Sequence, residues 1–371
     1  MKQTEEKREM DDLSGFRDSD AVGRLARSIE EAYPGGTHRL MEVCGTHTMA
    51  IARYGLRSLL PRGLALLSGP GCPVCVTPSA VIDAAVKLAE RPDTAVVTFG
   101  DMMSVPGSRK SLELKKAEGA DIRVLYSVYD VLEMAMKEPE KSFVFISVGF
   151  ETTTPGIALS VIETKRRGLG NVCFLAANRL VIPAMDALMK AEEVRIDGFL
   201  CPGHVSVIIG SDAYRSFSHQ YRVPCVVAGF EPVDILLAIC DLAGQIGEKR
   251  HEVTNRYSRA VTPEGNTEAQ RVTSVVFEAV EAEWRGIGRI PKSGLSLRPE
   301  FREFDALERY ELEMVSVPDP PGCRCGDVLK GLILPPQCGL FGKRCTPQHP
   351  VGPCMVSSEG SCAAYFKYEN I

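Results

Sequence analysis

The segment from Cys323 to Cys362 holds six of the thirteen cysteines in the chain, dispersed among glycine and proline. Cysteine at this density in loops requires disulfides or a metal. A zinc ribbon usually has two CxxC pairs and this segment has none, so an iron–sulfur cluster is favoured over zinc, with disulfides third. The spacing is Cys325-x12-Cys338-x6-Cys345-x16-Cys362, with Cys323 and Cys354 left over. Which four of the six bind the metal stays open at this point.

Cys72 and Cys75 form a CxxC motif just before a predicted helix, for which Thr77 is the N-cap and Pro78 the first residue. The positive end of a helix dipole lowers the pKa of a nearby thiol and favours the thiolate. The spacing also permits a reversible disulfide. Alternatively, the two cysteines could be half of a zinc site. This interpretation is weaker because the chain has no second CxxC motif. The motif therefore predicts a redox-active or metal-handling dithiol.

Cys44 and His47 lie in the loop CGTHT, where a soft sulfur and an imidazole can bind one metal ion. A single Cys/His pair is a weak signal and is more often structural. It gains weight because the pattern of strands described below puts this loop at the same edge of a sheet as the CxxC. Asp101, Glu151 and His204 follow equivalent strands and are weaker candidates.

The remaining cysteines are less informative. Cys173, Cys225 and Cys240 lie inside apolar strand or helix patterns and are interpreted as core residues, whereas Cys201 ends a strand and is ambiguous. The glycine-rich loop GPGCPVC lacks the GK[ST] of a Walker A motif, so nucleotide binding has little support.

The composition, with 44% hydrophobic and 25% charged residues and a formal net charge of −5, is that of an ordinary globular protein. No basic excess points to nucleic acid, and no apolar run approaches the ~20 residues of a membrane span. The N-terminal MKQTEEKREMDDLSGF has no apolar region of the kind found in signal peptides. We therefore expect a cytoplasmic protein, in which clustered thiols are metal ligands or redox groups.

Repeats of strand, glycine-rich loop and helix predict an α/β fold with parallel sheets. We expect two parallel-sheet α/β domains facing a cleft, plus a mainly helical and loop C-terminal iron–sulfur domain that includes a long helical pattern, EAQRVTSVVFEAVEAEW. The loops CGTHT, GPGCPVCVTP and GDMMSVPG should lie beyond the carboxyl ends of the strands. The predicted segments are an N-terminal helix packing on the other domains (1–36), the two α/β domains (37–125 and 126–240) and the C-terminal domain (241–371).

Several uncommon motifs in order resemble those of the hydrogenase maturation factor HypD family. They are CGTHT (44–48), GPGCPVCVTP (69–78), GFETTTP (149–155), PGHVSVIIG (202–210) and the spaced C-terminal cysteines, so the resemblance extends over nearly the whole chain.

The resemblance implies a role for each candidate residue. Cys72 and Cys75 would be a redox-active dithiol, and Cys44 would bind the iron on which the Fe(CN)2CO group of [NiFe]-hydrogenase is assembled, with His47 nearby. A HypC-type chaperone would share this iron and a HypE-type protein would deliver cyanide. Electrons would be relayed through a [4Fe–4S] cluster and the dithiol. The cluster ligands would be Cys325, Cys338, Cys345 and Cys362.

Two other functions fit the same motifs. One is an iron–sulfur-dependent thiol–disulfide reductase, because a CxxC and an iron–sulfur site suffice for it. The other is a zinc-binding regulatory protein without a redox role. Whether the protein is a turnover enzyme is uncertain, since the family implies an assembly factor.

Overall fold

A computed structural model describes residues 15–369 of the chain. Its strands form two parallel sheets and one antiparallel hairpin, which confirms the α/β class. The strands are β1 (His38–Glu42), β2 (Leu64–Ser68), β3 (Thr94–Phe99), β4 (Ile122–Leu125), β5 (Ser142–Ser147), β6 (Val172–Ala176), β7 (Gly198–Pro202), β8 (Cys225–Ala228), β9 (Val253–Asn255), β10 (Phe277–Trp284) and β11 (Gly288–Leu297).

Helices connect most of these strands and cover the faces of the sheets. The α-helices are α1 (Ser19–Ala32), α2 (Gly45–Arg53), α3 (Pro73–Val76), α4 (Ser79–Leu88), α5 (Leu112–Ala117), α6 (Asp130–Lys137), α7 (Thr154–Arg166), α8 (Val181–Lys190), α9 (Gly203–Ile209), α10 (Arg215–Tyr221), α11 (Pro232–Gly247), α12 (Thr267–Val276), α13 (Ala306–Arg309), α14 (Cys325–Leu329) and α15 (Ser361–Tyr368).

The first sheet has the strand order β2-β1-β7-β8-β9 and the second has the order β4-β3-β5-β6. All neighbouring strands within each sheet are parallel. Central strands such as β5, with the sequence SFVFIS, are apolar on both faces because helices and loops cover both sides of the sheet. This burial explains why the strand sequences are continuous hydrophobic runs and do not alternate with polar residues.

The two sheets do not follow the predicted division of the chain at residue 125. The first sheet is built from residues 38–68 and 198–255, and the second from residues 94–176 between them. β3 pairs with β5 and β7 pairs with β1, whereas the predicted segments placed β3 beside the Cys44 loop and β7 in the second domain. Local sequence patterns do not reveal such long-range pairing.

A single cluster of buried side chains contacts both sheets, where the sequence predicted a cleft between two domains. It includes Leu67 from the first sheet and Val144 from the second. Cys75 and the C-terminal Cys345 belong to the same cluster, so the cysteine-rich segment packs directly onto the α/β core. The far face of each sheet has a hydrophobic cluster of its own.

The predicted helical pattern over EAQRVTSVVFEAVEAEW is only half helix. Helix α12 ends at Val276, and the chain continues as β10, which pairs with β11 in an antiparallel hairpin. Phe277 and Trp284 are buried, and Trp284 Nε1 donates a hydrogen bond of 2.8 Å to Ser293 Oγ. Pairing and burial in the hairpin override the helix propensity of the Glu and Ala residues.

The predicted N-terminal helix is α1, which begins after Asp18, whose side chain accepts a hydrogen bond from Asp20 N at 3.0 Å. It packs against α11 and buries Ile29. Residues 1–14, which include most of the segment predicted not to be a signal peptide, lie outside the described residues. None of the helices within residues 15–369 is long and apolar enough to cross a bilayer.

Candidate metal and redox site

The first sheet changes strand order between β1 and β7, because β2 lies on one side of β1 and β7 on the other. Ligands of open α/β sheets bind beyond the carboxyl ends of the strands at such a switch point. Cys44 follows β1 by two residues and His204 follows β7 by two residues. The two predicted residues therefore lie at the position where this topology favours a site.

Cys44 is the N-cap residue of α2 and is 6% exposed. Its backbone N–H donates a hydrogen bond of 3.4 Å to the buried carboxyl group of Glu42, which also accepts one of 2.7 Å from Thr48 Oγ1. Burial raises the pKa of the Cys44 thiol to about 12 and that of Glu42 to about 7. In the free chain Cys44 is a protonated thiol, so metal binding releases a proton.

Gly71 brings the CxxC loop into direct backbone contact with Cys44. Gly45 N donates a hydrogen bond of 2.9 Å to Gly71 O. A Cβ placed on Gly71 would lie less than 3.0 Å from the backbone N and Cα of Cys44. Glycine is therefore required for this approach, and the predicted proximity of the two loops is present in the structure.

Cys72 and Cys75 form a disulfide with a Cα–Cα distance of 5.2 Å, at the start of the short helix α3. Both residues are buried, at 3% and 1% exposure. Cys75 N lies 3.1 Å from Cys72 Sγ, and Cys72 Sγ lies 3.3 Å from Ser357 Oγ. The reversible pair predicted from the spacing thus has suitable geometry.

The Phe230 ring packs against both His47 and His204. The Phe230 ring centroid is 4.9 Å from that of His47 and 3.9 Å from that of His204. His47 Nε2 is 2.8 Å from Gly229 O, so Nε2 carries the proton because a carbonyl only accepts. Burial lowers the pKa of His47 to about 4, which leaves Nδ1 with a lone pair. Nδ1 is buried and has no hydrogen-bond partner within residues 15–369. We call these three residues the histidine stack.

Glu359 is a site residue that the sequence interpretation missed. Its Oε1 accepts a hydrogen bond of 2.7 Å from Thr46 Oγ1, and its Cβ lies against Gly45. Ser357 contacts Cys72, and Pro353 O is 4.0 Å from Cys75 Sγ. The segment 353–360 therefore joins the C-terminal cysteines to both loops. The only sequence signal was a carboxylate and serines between two cysteines of the C-terminal segment.

Five of the C-terminal cysteines line a small cavity whose other walls are Arg324, Val328, Leu340, Phe341 and Met355. No group of three or more His, Cys, Asp or Glu side chains among the described residues has the arrangement of a ready metal site. The donor set nevertheless fits an iron–sulfur cluster, because the ligand-type side chains on this cavity wall are thiols, and apart from Arg324 the other lining residues are apolar. The cysteines that line it are Cys323, Cys325, Cys338, Cys345 and Cys362.

Cys354 is fully buried beside this cavity, and the neighbouring Cys325 thiol together with burial raises the pKa of the Cys354 thiol well above its usual range. Cys323, which the spacing left over, lines the same cavity as Cys325. The thiol of Cys201, ambiguous from the sequence, is buried, as is that of Cys225 on the adjacent strand. Cys173 is fully buried and Cys240 is half-buried, in keeping with their interpretation as core residues.

Asp101 and Glu151 are not brought to Cys44, because they follow β3 and β5 of the second sheet. Asp101 is exposed. Glu151 Oε1 accepts a hydrogen bond of 3.0 Å from Val181 N, while Oε2 is buried without a partner in the described part of the chain. Burial raises the pKa of Glu151 to about 7.

Comparisons with known proteins give one consistent result. The HypD family model, described as "Hydrogenase formation hypA family", matches residues 20–369. The hydrogenase maturation factor HypD of Cupriavidus necator is 46% identical over 365 residues, covering 96% of each chain. That of Azotobacter vinelandii is 47% identical over 361 residues, covering 95% of each. That of Rhodobacter capsulatus is 43% identical over 352 residues, covering 94% of this chain and 93% of the relative.

Proposed function

This chain belongs to the HypD family of hydrogenase maturation factors, and from that membership we propose that it is a redox-active scaffold for assembly of the Fe(CN)2CO group. The observation that carries the proposal is the backbone contact of Gly71 with Cys44, which puts one thiol and one disulfide in the same site. A single metal-binding sulfur beside a two-electron redox pair suits iron chemistry that needs reduction.

In this proposal Cys44 is the thiolate ligand of the iron that the protein carries as cargo. Low-spin iron with cyanide and carbonyl ligands suits soft thiolate ligation. Glu42, with a pKa of about 7, lies beneath the Cys44 turn and can take up the proton that the thiol releases. His47 Nδ1, three residues further along the chain, is buried and offers a lone pair, and the Phe230 ring packs against this imidazole.

Reduction of the Cys72–Cys75 disulfide takes two electrons and two protons and gives two thiols. Ser357 Oγ, 3.3 Å from Cys72 Sγ, can donate a hydrogen bond to that sulfur after reduction. We propose that a [4Fe–4S] cluster, when bound, supplies single electrons at the C-terminal cysteines. Its proposed ligands are Cys325, Cys338, Cys345 and Cys362.

We further propose that the protein works in the cytoplasm with a HypC-type chaperone, which shares the iron, and a HypE-type cyanide donor. The cytoplasm keeps thiols reduced, which is compatible with a Cys72–Cys75 disulfide that forms and is reduced again in each round of assembly. The net charge of −5 gives no support for a nucleic-acid partner.

A second candidate function is an iron–sulfur-dependent thiol–disulfide reductase, favoured by the buried disulfide that contacts the C-terminal segment. The Cys44→Ala variant separates the two. A scaffold loses hydrogenase maturation in a strain that lacks its own HypD, whereas a reductase keeps its turnover of a disulfide substrate. Cys240→Ala, a half-buried cysteine in α11, is the matched control and should leave both activities unchanged.

Metal analysis of the full chain purified without oxygen tests the cluster separately. We expect about four iron atoms per chain and a visible charge-transfer band. Zinc without iron would favour the regulatory zinc protein and overturn the scaffold proposal.

A further inference from the structure

Tyr257, in the segment that follows β9, packs against the residues around the histidine stack. The Tyr257 ring packs against two glycines, and a Cβ added at either glycine would lie within 2.9 Å of that ring. Gly229 carries the carbonyl that accepts from His47, and Gly203 immediately precedes His204. The Tyr257 ring also meets Phe230 edge to face, with centroids 5.9 Å apart. The Tyr257 ring therefore touches the glycine whose carbonyl holds His47 and the glycine that precedes His204.

Asp234 and Arg259 fix this arrangement electrostatically. Asp234 is 1% exposed and accepts two hydrogen bonds from the Arg259 guanidinium, at 2.7 and 2.5 Å. It also accepts from Glu231 N at 3.4 Å, so the same carboxylate holds the loop that carries Phe230. A bidentate pair with one partner fully buried is far more directional than an exposed ion pair.

Phe16 and Arg17, near the start of the described chain, contact the same group of residues at the surface. The Arg259 guanidinium lies between two rings, 4.5 Å from the Tyr257 centroid and 4.2 Å from that of Phe16. Arg17 donates two hydrogen bonds to Glu231, at 2.5 and 2.8 Å. The segment 15–17 thus covers Arg259 and holds the outer end of the Phe230 loop.

We propose that Arg259 is a positioning residue for the histidine stack. It acts through Asp234 on the Phe230 loop and through Tyr257 on the two glycines, and Phe16 keeps its guanidinium in place. Arg259 touches neither histidine itself. The role of the two histidines rests on the proposed function. Their positioning by Arg259 does not depend on it.

The test compares Arg259→Lys with Arg256→Lys in the full chain. Lysine keeps the charge but loses the planar two-pronged donor and the stacking between rings. Arg256 is the matched control, because it is in the same segment and donates to Asp241 of α11 at 2.7 Å, a carboxylate that is 5% exposed. Imidazole NMR resolves the histidines individually, since the chain has six.

In Arg259→Lys we expect the His47 and His204 signals to shift and exchange of the His47 Nε2 proton to accelerate about ten-fold, with His349 unchanged. Arg256→Lys should leave all six signals in place. Unchanged His47 and His204 signals in Arg259→Lys would overturn the inference. Equal shifts of all six histidines would also overturn it, because they indicate general loss of folding.

The double variant Asp234→Asn with Arg259→Gln removes both charges and leaves no unpaired buried carboxylate. It should show the same two shifted signals. Infrared spectra of the iron-loaded protein then separate the two claims. Cyanide bands that move in Arg259→Lys support both, whereas absence of such bands in the unaltered protein contradicts the proposed function and leaves the NMR result to decide the role of Arg259.

Discussion

Replacement of Gly71 by alanine should separate the disulfide loop from Cys44. The added methyl group would overlap the backbone N and Cα of Cys44 and the carbonyl carbon of Val43, all at less than 3.0 Å. Backbone atoms in a buried turn cannot move aside as a flexible side chain does. We therefore expect a loss near the upper end of the ~1–3 kcal/mol that overpacking costs.

Urea unfolding gives the stability change, and the rate of Cys44 alkylation reports the separation of the loops. Cys44 is 6% exposed, so its alkylation should be slow in the unaltered protein and faster in Gly71→Ala. Gly156→Ala in α7 is the control, because a Cβ there has no atom within 4 Å and alanine favours a helix by up to ~1 kcal/mol. A Gly71→Ala variant with unchanged stability and equally slow alkylation would refute the contact.

Three further outcomes are expected. Burial raises the pKa of Glu42 from its ordinary 4.5 to about 7, so the folded state binds this proton more tightly than the unfolded state does. The free energy of unfolding therefore falls by up to ~1.4 kcal/mol per pH unit as the pH rises from about 4.5 to 7. Urea unfolding of Glu42→Gln across this range should lack that component. Arg179→Met should lower the free energy of unfolding by roughly 2–4 kcal/mol, because the buried Arg179 guanidinium donates to three backbone carbonyls. Arg289→Met is the control and should change stability little, because the Arg289 side chain is 73% exposed. Cys72→Ser should abolish hydrogenase maturation with the iron content unchanged, and loss of iron would show that the two cysteine sites are one.

The proximity of Cys44 to the CxxC could be predicted, because parallel strands bring the loops at their carboxyl ends to one edge. The same rule did not reveal that β1 is followed in its sheet by β7, about 160 residues later, since strand order depends on long-range pairing. For that reason His204 could be named as a candidate but not placed beside His47. Phe230, which packs against both imidazoles, has no polar group and therefore gave no chemical signal in the sequence.

Glu359 and Ser357 could not be assigned from the sequence because their roles depend on contacts with residues about 300 positions earlier. The spacing of the C-terminal cysteines grouped four residues that line one cavity, but it did not place Cys323 on the same wall or Cys354 beside it. Half of a predicted helix is strand β10 in the structure, again because contacts outside the local sequence decide it. Pairing with β11 and burial of Trp284 decide that segment, and neither is visible in the local pattern.

The infrared spectrum of the full chain, purified without oxygen together with the proposed HypC-type chaperone, tests the central claim most directly. The proposed scaffold requires cyanide and carbonyl stretching bands in the unaltered complex and their loss in Cys44→Ala, with the C-terminal iron retained. Bands that persist in Cys44→Ala, or an unaltered, folded complex without any such bands, would contradict assembly of the iron group at Cys44.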